Sequence, residues 1–158
     1  DPDEDAAFFE LAEHMLEAAG LRHYETSNYA REGCISPHNM AYWKGEDYVG
    51  IGPGAVSTIN GIRHSNTRDT DAYIRSTLEN GLPLSEQEPV TEEDYRLERI
   101  ALMLRTDEGL PLKYILPESR PLLEQYRELG LADISPEQRL ILKGRGRLLV
   151  DAIAAELC

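Results

Sequence analysis

Apolar residues recur at helical spacing near the start of the chain, where Phe8, Leu11, Ala12, Met15 and Ala19 step by three and four until Gly20 ends the run. Asp1-Pro2-Asp3-Glu4 supplies an N-cap, a proline at the first helical position and a capping-box acid, so an amphipathic helix is predicted. The next stretch, LRHYETSNY from Leu21 to Tyr29, is compatible with a strand reached by a short connection. Helix then strand is half of an α/β layer arrangement, and a chain that opens in mid-alternation suggests a piece of something longer. From Tyr48 the pattern changes to YVGIGPGAVSTINGIRHS. Gly50, Gly52 and Ala55 satisfy G-x-G-x-x-G/A, but that fingerprint binds a pyrophosphate only where the third small residue opens a helix. Here β-branched Val56, Thr58, Ile59 and Ile62 flank Asn60-Gly61, so a strand and a hairpin are predicted instead. Glycines at alternate strand positions admit a ligand or another backbone, or mark a tight corner or bulge.

Beyond Thr67 the pattern turns helical. Tyr73, Ile74, Thr77 and Leu78 lie in a helix expected over residues 69–80 and stopped at Gly81, with LPLSEQEP following as a loop. A boundary is expected there, giving residues 1–67, a connection over 68–88, and 89–158. Thr91 and Asp94 form a capping box, Val90 and Tyr95 stand at staple positions, and Leu97, Ile100, Ala101 and Leu104 make the buried stripe of a strong helix. Short helices are expected over 112–116 and 119–129. The apolar runs LADI and RLIL follow, separated by SPEQ, and then a closing helix from Lys143 or Gly144 to Leu157. Helix, helix, helix, hairpin, helix is the order of a winged-helix-like module. The expected fold class is therefore α/β plus α.

Charge changes the reading of that module. The 158 residues carry a formal net charge of −13, with 6 basic against 16 acidic residues over 1–88 and 10 against 13 over 89–158. A nucleic-acid-binding winged helix needs cations on its recognition helix and wing. In SRPLLEQYRELG, Arg120 and Arg127 are offset by Glu124 and Glu128, and the wing tip carries Glu137. Lys143, Arg145 and Arg147 are the one basic cluster, at a helix start. A structural or partner-binding cap is favoured over nucleic-acid binding. No apolar run is long enough to span a bilayer and the first residues are acidic, which points to the cytoplasm. Cys34 and Cys158, with no CxxC spacing, support neither a disulfide framework nor a thiolate metal site. His14, His23 and His64 have no metal-ligand spacing.

One stretch concentrates rings in polar surroundings: HNMAYW, His38 to Trp43, between REGCISP and KGED. With YETSNYA (Tyr24 to Ala30) before it and YVGIGPGA (Tyr48 to Ala55) after it, in this order and spacing, it resembles the C-terminal half of the radical-SAM heme chaperone family HemW, which is coproporphyrinogen III oxidase-like. The resemblance extends to the tail. It implies a parent that binds a [4Fe-4S] cluster and S-adenosylmethionine in a partial (β/α) barrel and holds heme for a recipient protein. Residues 1–67 would then be the last αβ elements of the barrel with its β-hairpin, HNxxYW loop and glycine-rich strand, followed by the winged-helix-like C-terminal domain. In the family the histidine of HNxxYW is implicated in heme binding, which falls on His38. The CxxxCxxC motif that holds the cluster is absent from this chain, so the fragment alone is expected to be inactive. Val56 also stands where the family often has histidine.

Heme requires an axial donor, apolar or aromatic walls and an oriented surround. His38 can donate a ring nitrogen to the iron, Asn39 can fix its tautomer, Tyr42 and Trp43 offer flat faces, and Pro37 stiffens the approach. The competing reading is an aromatic pair packed under the barrel rim with His38 bonded to backbone. Cys34 is a weaker ligand candidate, and Tyr24 and Glu25 would face the barrel's substrate space or, for Glu25, plain solvent. Gly50, Gly52 and Gly54 are placed near S-adenosylmethionine. The alternatives are a coproporphyrinogen III dehydrogenase, which decarboxylates propionates, and a winged-helix binding module. A cut sheet edge would favour self-association.

Overall fold

The computed structural model describes every residue except Asp1 and Asn80, so the expected Asp1 N-cap lies outside the described residues. The chain forms two compact units, one from the residues up to Gly45 together with Arg96–Cys158, the other from Glu46–Tyr95. This division does not follow residues 68–88.

In the first unit α1 (Pro2–Ala18) ends before Gly20, whose φ of 77° no β-carbon residue adopts cheaply. The face that packs is not the apolar stripe read from the sequence: Phe8, Leu11 and Met15 are exposed, while Phe9, Glu13 and Leu16 turn inward at steps of four and three. A polar contact selects this face. Arg147 donates to Glu13 Oε1 at 2.5 Å and to His23 Nδ1 at 2.7 Å, and His23 is buried, stacked on Tyr29 with centroids 4.4 Å apart. Because a guanidinium only donates, Nδ1 must accept, which leaves the proton of His23 on Nε2.

The stretch expected as one strand folds back on itself as β1 (Arg22–Glu25) and β2 (Asn28–Ala30), an antiparallel pair. The reversal is built by Glu25, only 2% exposed, whose carboxylate accepts from Ser27 N at 3.2 Å and from Asn28 Nδ2. Every pairing among the described residues is antiparallel. α2 (Pro37–Lys44) follows.

In the second unit β3 (Val56–Ile59) and β4 (Ile62–Asn66) form the expected hairpin, with Asn60 and Gly61 both at positive φ (52° and 73°) as a two-residue primed turn requires. α3 (Thr70–Leu78) is capped by Asp69, whose side chain accepts from Ala72 N. The stretch read as a loop, LPLSEQEP, is instead largely strand β5 (Leu84–Pro89), paired antiparallel with β4. Its acids and terminal proline hide it from a strand search, since an edge strand with solvent on one side tolerates both.

α4 (Glu92–Met103) begins with the predicted capping box: Asp94 N donates to Thr91 Oγ1 at 3.1 Å, and Thr91 N donates to Asp94 Oδ2 at 3.2 Å. β6 (Leu110–Pro111), too short to be seen in the sequence, pairs with β8 (Arg139–Leu142), which also pairs with β7 (Ala132–Ile134), so the sheet order is β6-β8-β7. Between them lie two 3-10 turns and α5 (Arg120–Glu128), stopped by Gly130. The closing helix is two pieces, α6 (Arg145–Leu148) and α7 (Val150–Leu157), broken at Leu149. The main core joins Ile100 of α4 and Leu104 just beyond it to Leu110, Leu140 and Leu157, and each such side chain gains about 2 kcal/mol from leaving water. A smaller cluster, Tyr24, Ala30 and Met40 with Ile35 and Trp43, seats α2.

Candidate functional site

HNMAYW is a helix rather than a loop. Ser36 in extended conformation accepts from Asn39 N at 3.3 Å, Pro37 stands in the first turn with φ already set, and Gly45 turns left-handed (φ 59°) to end α2 after eight residues. The Gly45 N–H returns to Tyr42 O at 2.9 Å. Helical geometry then sorts the ring-bearing residues. His38 and Tyr42, four apart, share an exposed face with ring centroids 5.0 Å apart and planes at 83°, an edge-to-face pair. Met40 and Trp43, three apart, turn toward Tyr24 and Ala30. The two aromatic walls expected together are thus divided: Tyr42 stays at the surface beside the imidazole, and Trp43 anchors the helix. Asn39 contributes its backbone N–H to the cap and is half-buried.

Two further residues hold α2, and sequence reading singled out neither. Arg99, 3% exposed on α4, donates through Nη1 to Lys44 O, the last carbonyl of the helix. Glu108 pairs with Lys44 Nζ at 2.7 Å. An arginine within an apolar stripe was the available signal, because a buried charge implies a specific partner.

A cleft of about 540 Å³ opens over Tyr24, Ala30 and Ile35, three members of the cluster that seats Trp43, and is lined also by Arg22, Arg31 and Glu32. That volume falls within the range of small-molecule sites. Arg22 is engaged by Asp107 Oδ2 at 3.0 Å, yet burial outweighs this cation and raises the Asp107 carboxyl above its ordinary range. Tyr24 is buried in the core and lines that cleft, and Glu25 is buried and holds its own turn. Cys34 and Cys158 are both exposed. Among the described residues no group of three or more His, Cys, Asp or Glu could hold a metal ion, and His64 pairs with Gln87 at 2.8 Å. Of the basic cluster, Arg145 reaches Glu10 at 3.2 Å and Arg147 reaches Glu13, so two of its three cations are engaged by α1.

In the other unit the glycine-rich stretch is a turn, not a strand, and the bridge between Tyr48 and Thr58 ties its start to β3. Each glycine has its own reason. A Cβ at Gly50 would lie 2.2 Å from Val56 O, whereas Gly52 and Gly54 have φ of 117° and 71°. Asn66, buried at the end of β4, holds the turn by donating from Nδ2 to Gly52 O at 3.0 Å and Gly50 O at 3.4 Å. Tyr73 OH accepts from Gly52 N at 3.2 Å, and Ser57 Oγ from Gly50 N at 2.9 Å. Neither Asn66 nor a role for Tyr73 here was legible from spacing. Val56 opens β3.

No family model matches the chain. It is 36% identical to heme chaperone HemW of Mycobacterium tuberculosis over 158 residues, 99% of this chain and 40% of that protein. Heme chaperone HemW of Bacillus subtilis is 36% identical over 111 residues, covering 70% of this chain and 29% of that one. The radical S-adenosyl methionine domain-containing protein 1, mitochondrial, of Bos taurus is 32% identical over 118 residues, 70% and 27% of the two chains. Among solved structures, coproporphyrinogen III oxidase (HemN) from Escherichia coli, described as a radical SAM enzyme, superposes with a TM-score of 0.68 at 19% identity, over 99% of this chain and 41% of that one. At that identity the likeness is one of fold. The chain spans about 40% of the length of the Mycobacterium tuberculosis relative.

Proposed function

This chain is a HemW-like C-terminal segment, and on that premise we propose that it supplies a heme-contacting surface to a radical-SAM heme chaperone, with His38 as axial ligand. The observation that carries the reading is the exposed pairing of His38 with Tyr42 on a helix fixed at both ends, within a chain whose named relatives include heme chaperones. Their donor chemistry fits heme: a solvent-accessible imidazole for the iron and an adjacent phenol ring for the macrocycle edge. Asn39 and Trp43 belong to the same proposal, Trp43 by fixing the helix on its cluster and Asn39 by donating its backbone N–H to the cap of the turn that carries His38. Bound heme supplies iron that accepts the imidazole lone pair; the chain's own part is to present the ring and hold the helix beneath it.

S-adenosylmethionine and the [4Fe-4S] cluster belong to the full-length parent in this reading, since the two exposed cysteines do not fit a cluster that needs three or four thiolates. Gly50, Gly52 and Gly54 are proposed to lie near S-adenosylmethionine there. The segment's helices and hairpins are read as the end of a partial barrel followed by a winged-helix-like cap, supported by the HemN fold likeness. A cytoplasmic place, a heme-accepting protein partner and self-association at a sheet edge complete the proposal; no helix among the described residues is long and apolar enough to cross a membrane.

A heme titration followed at the Soret band, wild type against His38→Ala, tests it. Loss of the histidine-ligated spectrum and weaker binding in the variant are expected, and an unchanged band and affinity remove His38 as ligand. The second reading, a coproporphyrinogen III dehydrogenase, is favoured by the HemN fold and is decided by assaying protoporphyrinogen formation. A gel shift at low salt addresses a nucleic-acid-binding module; Arg145 and Arg147 paired with Glu10 and Glu13 argue for no shift.

A further inference from the structure

Eight residues do not sustain a helix by themselves, since isolated helices shorter than roughly 12 to 15 residues are marginal in water. α2 therefore persists through what its ends and inner face contact. At its N-terminus Ser36 and Pro37 suffice locally. At its C-terminus the last carbonyls lack intrahelical donors. Gly45 satisfies those of Ala41 and Tyr42, and Arg99 donates to that of Lys44 from another helix.

The glycine and the arginine depend on each other. Gly45 sits at φ 59°, and a Cβ added there would fall 1.5 Å from Arg99 Nη2, so the missing side chain makes the space in which the guanidinium lies. With Arg99 only 3% exposed, that guanidinium has little room to withdraw. A cation at the C-terminal end also opposes the negative pole of the helix dipole.

We infer that Arg99 is a positioning residue for the heme site: its buried guanidinium locks the C-terminal turn of α2 and thereby sets where His38 and Tyr42 stand. This rests on the reading of His38 as the heme ligand. Arg99 has no contact with heme in the proposal and acts only through the helix.

The test compares wild type, Arg99→Met, Arg99→Lys and His38→Ala by heme titration, by the resonance Raman iron–histidine stretch and by circular dichroism. Arg99→Met, folded by circular dichroism, is expected to bind heme about 10- to 100-fold more weakly, the scale for residues that orient a metal ligand, with the iron–histidine band broadened or lost. Arg99→Lys, which keeps a cationic donor, is expected to recover part of both. A folded Arg99→Met with wild-type affinity and band overturns the positioning role while His38 stands as ligand. A wild-type spectrum in His38→Ala overturns the ligand reading, and the positioning role with it. If Arg99→Met does not fold, Arg99→Gln takes its place with the same expected direction, and wild-type affinity in Arg99→Gln overturns the role.

Discussion

Replacing Gly50 by alanine separates two reasons for a glycine in the G-x-G-x-G turn. Gly50 is not among the glycines with positive φ, so alanine meets no backbone penalty of that kind; the obstacle is space. The added Cβ would stand 2.2 Å from Val56 O and 2.9 Å from Val56 C. Ordinary contact between such atoms begins near 3.4 Å, so turn and strand must part by about 1 Å. Neither is loose: Val56 is in register with Ser65 across the hairpin, and Asn66 Nδ2 and Ser57 Oγ bind the turn. Overpacking of this kind costs about 1 to 3 kcal/mol. Amide hydrogen exchange over Ser57–Ile59 reads the cost within its own unit, and 1 to 3 kcal/mol corresponds to exchange roughly 5- to 150-fold faster. Gly54→Ala is the control, because its nearest neighbour, Arg68 Cγ, is at 3.4 Å and only the φ of 71° opposes alanine, by about 1 to 2 kcal/mol. If Gly50→Ala exchanges within twofold of wild type while S-adenosylmethionine binding by the full-length protein is lost, the backbone account is wrong and the glycine serves ligand approach.

Other outcomes follow from the same geometry. Thr91 hydrogen bonds, side chain first and backbone second, hold the Asp94 carboxyl below its ordinary range, so the charged form is favoured on folding. Its contribution is complete above the ordinary carboxylate pKa and is lost as pH falls through the lowered value; Asp94→Asn should therefore flatten the acid limb of a stability-against-pH curve, and an unaltered limb contradicts the capping box. Ile100→Ala, at a fully buried position, should cost 2 to 5 kcal/mol, roughly, in urea denaturation. Arg147→Met strips the donor from the buried Nδ1 of His23 and the partner from Glu13, at about 1 to 3 kcal/mol, and nitrogen chemical shifts of wild-type His23 should report the Nε2–H tautomer. A protonated Nδ1 in the wild type is incompatible with that contact.

Where local chemistry decides structure, the sequence was readable. Asn60-Gly61, the Thr91 capping box, the stripe through Ile100, and LADI with RLIL all appear where their residues place them, because each is governed by neighbours within a few positions. Misreadings arose where a distant partner decided. The packed face of α1 is set by Arg147, more than 120 residues away, so the apolar stripe of Phe8, Leu11 and Met15 was a poor guide. An exception is local: the strand expected over Leu21–Tyr29 is a hairpin because the Glu25 carboxylate accepts from Ser27 N and Asn28 Nδ2, within three residues. α2 was legible as a motif but not as a helix: its period is masked by division into an outer pair and an inner pair, and its final cap comes from Arg99. Of the glycines expected to admit a close approach, Gly50 meets another backbone, that of Val56, which could be identified only in three dimensions, whereas Gly52 and Gly54 are required by their positive φ.

The unit formed by Glu46–Tyr95 is continuous in sequence, whereas the other is assembled from both sides of it. During synthesis the continuous unit has all its strands once Tyr95 has emerged, and its hairpin and meander are local enough to close quickly. The discontinuous unit must wait. α1 has no partner for Glu10 or Glu13, and His23 no donor on Nδ1, until Arg145 and Arg147, more than 120 residues later, are made. Through the synthesis of the intervening residues α1 therefore stands without the cations that fix its packed face, while the continuous unit can already close, and it is the element most in need of shielding until those cations arrive.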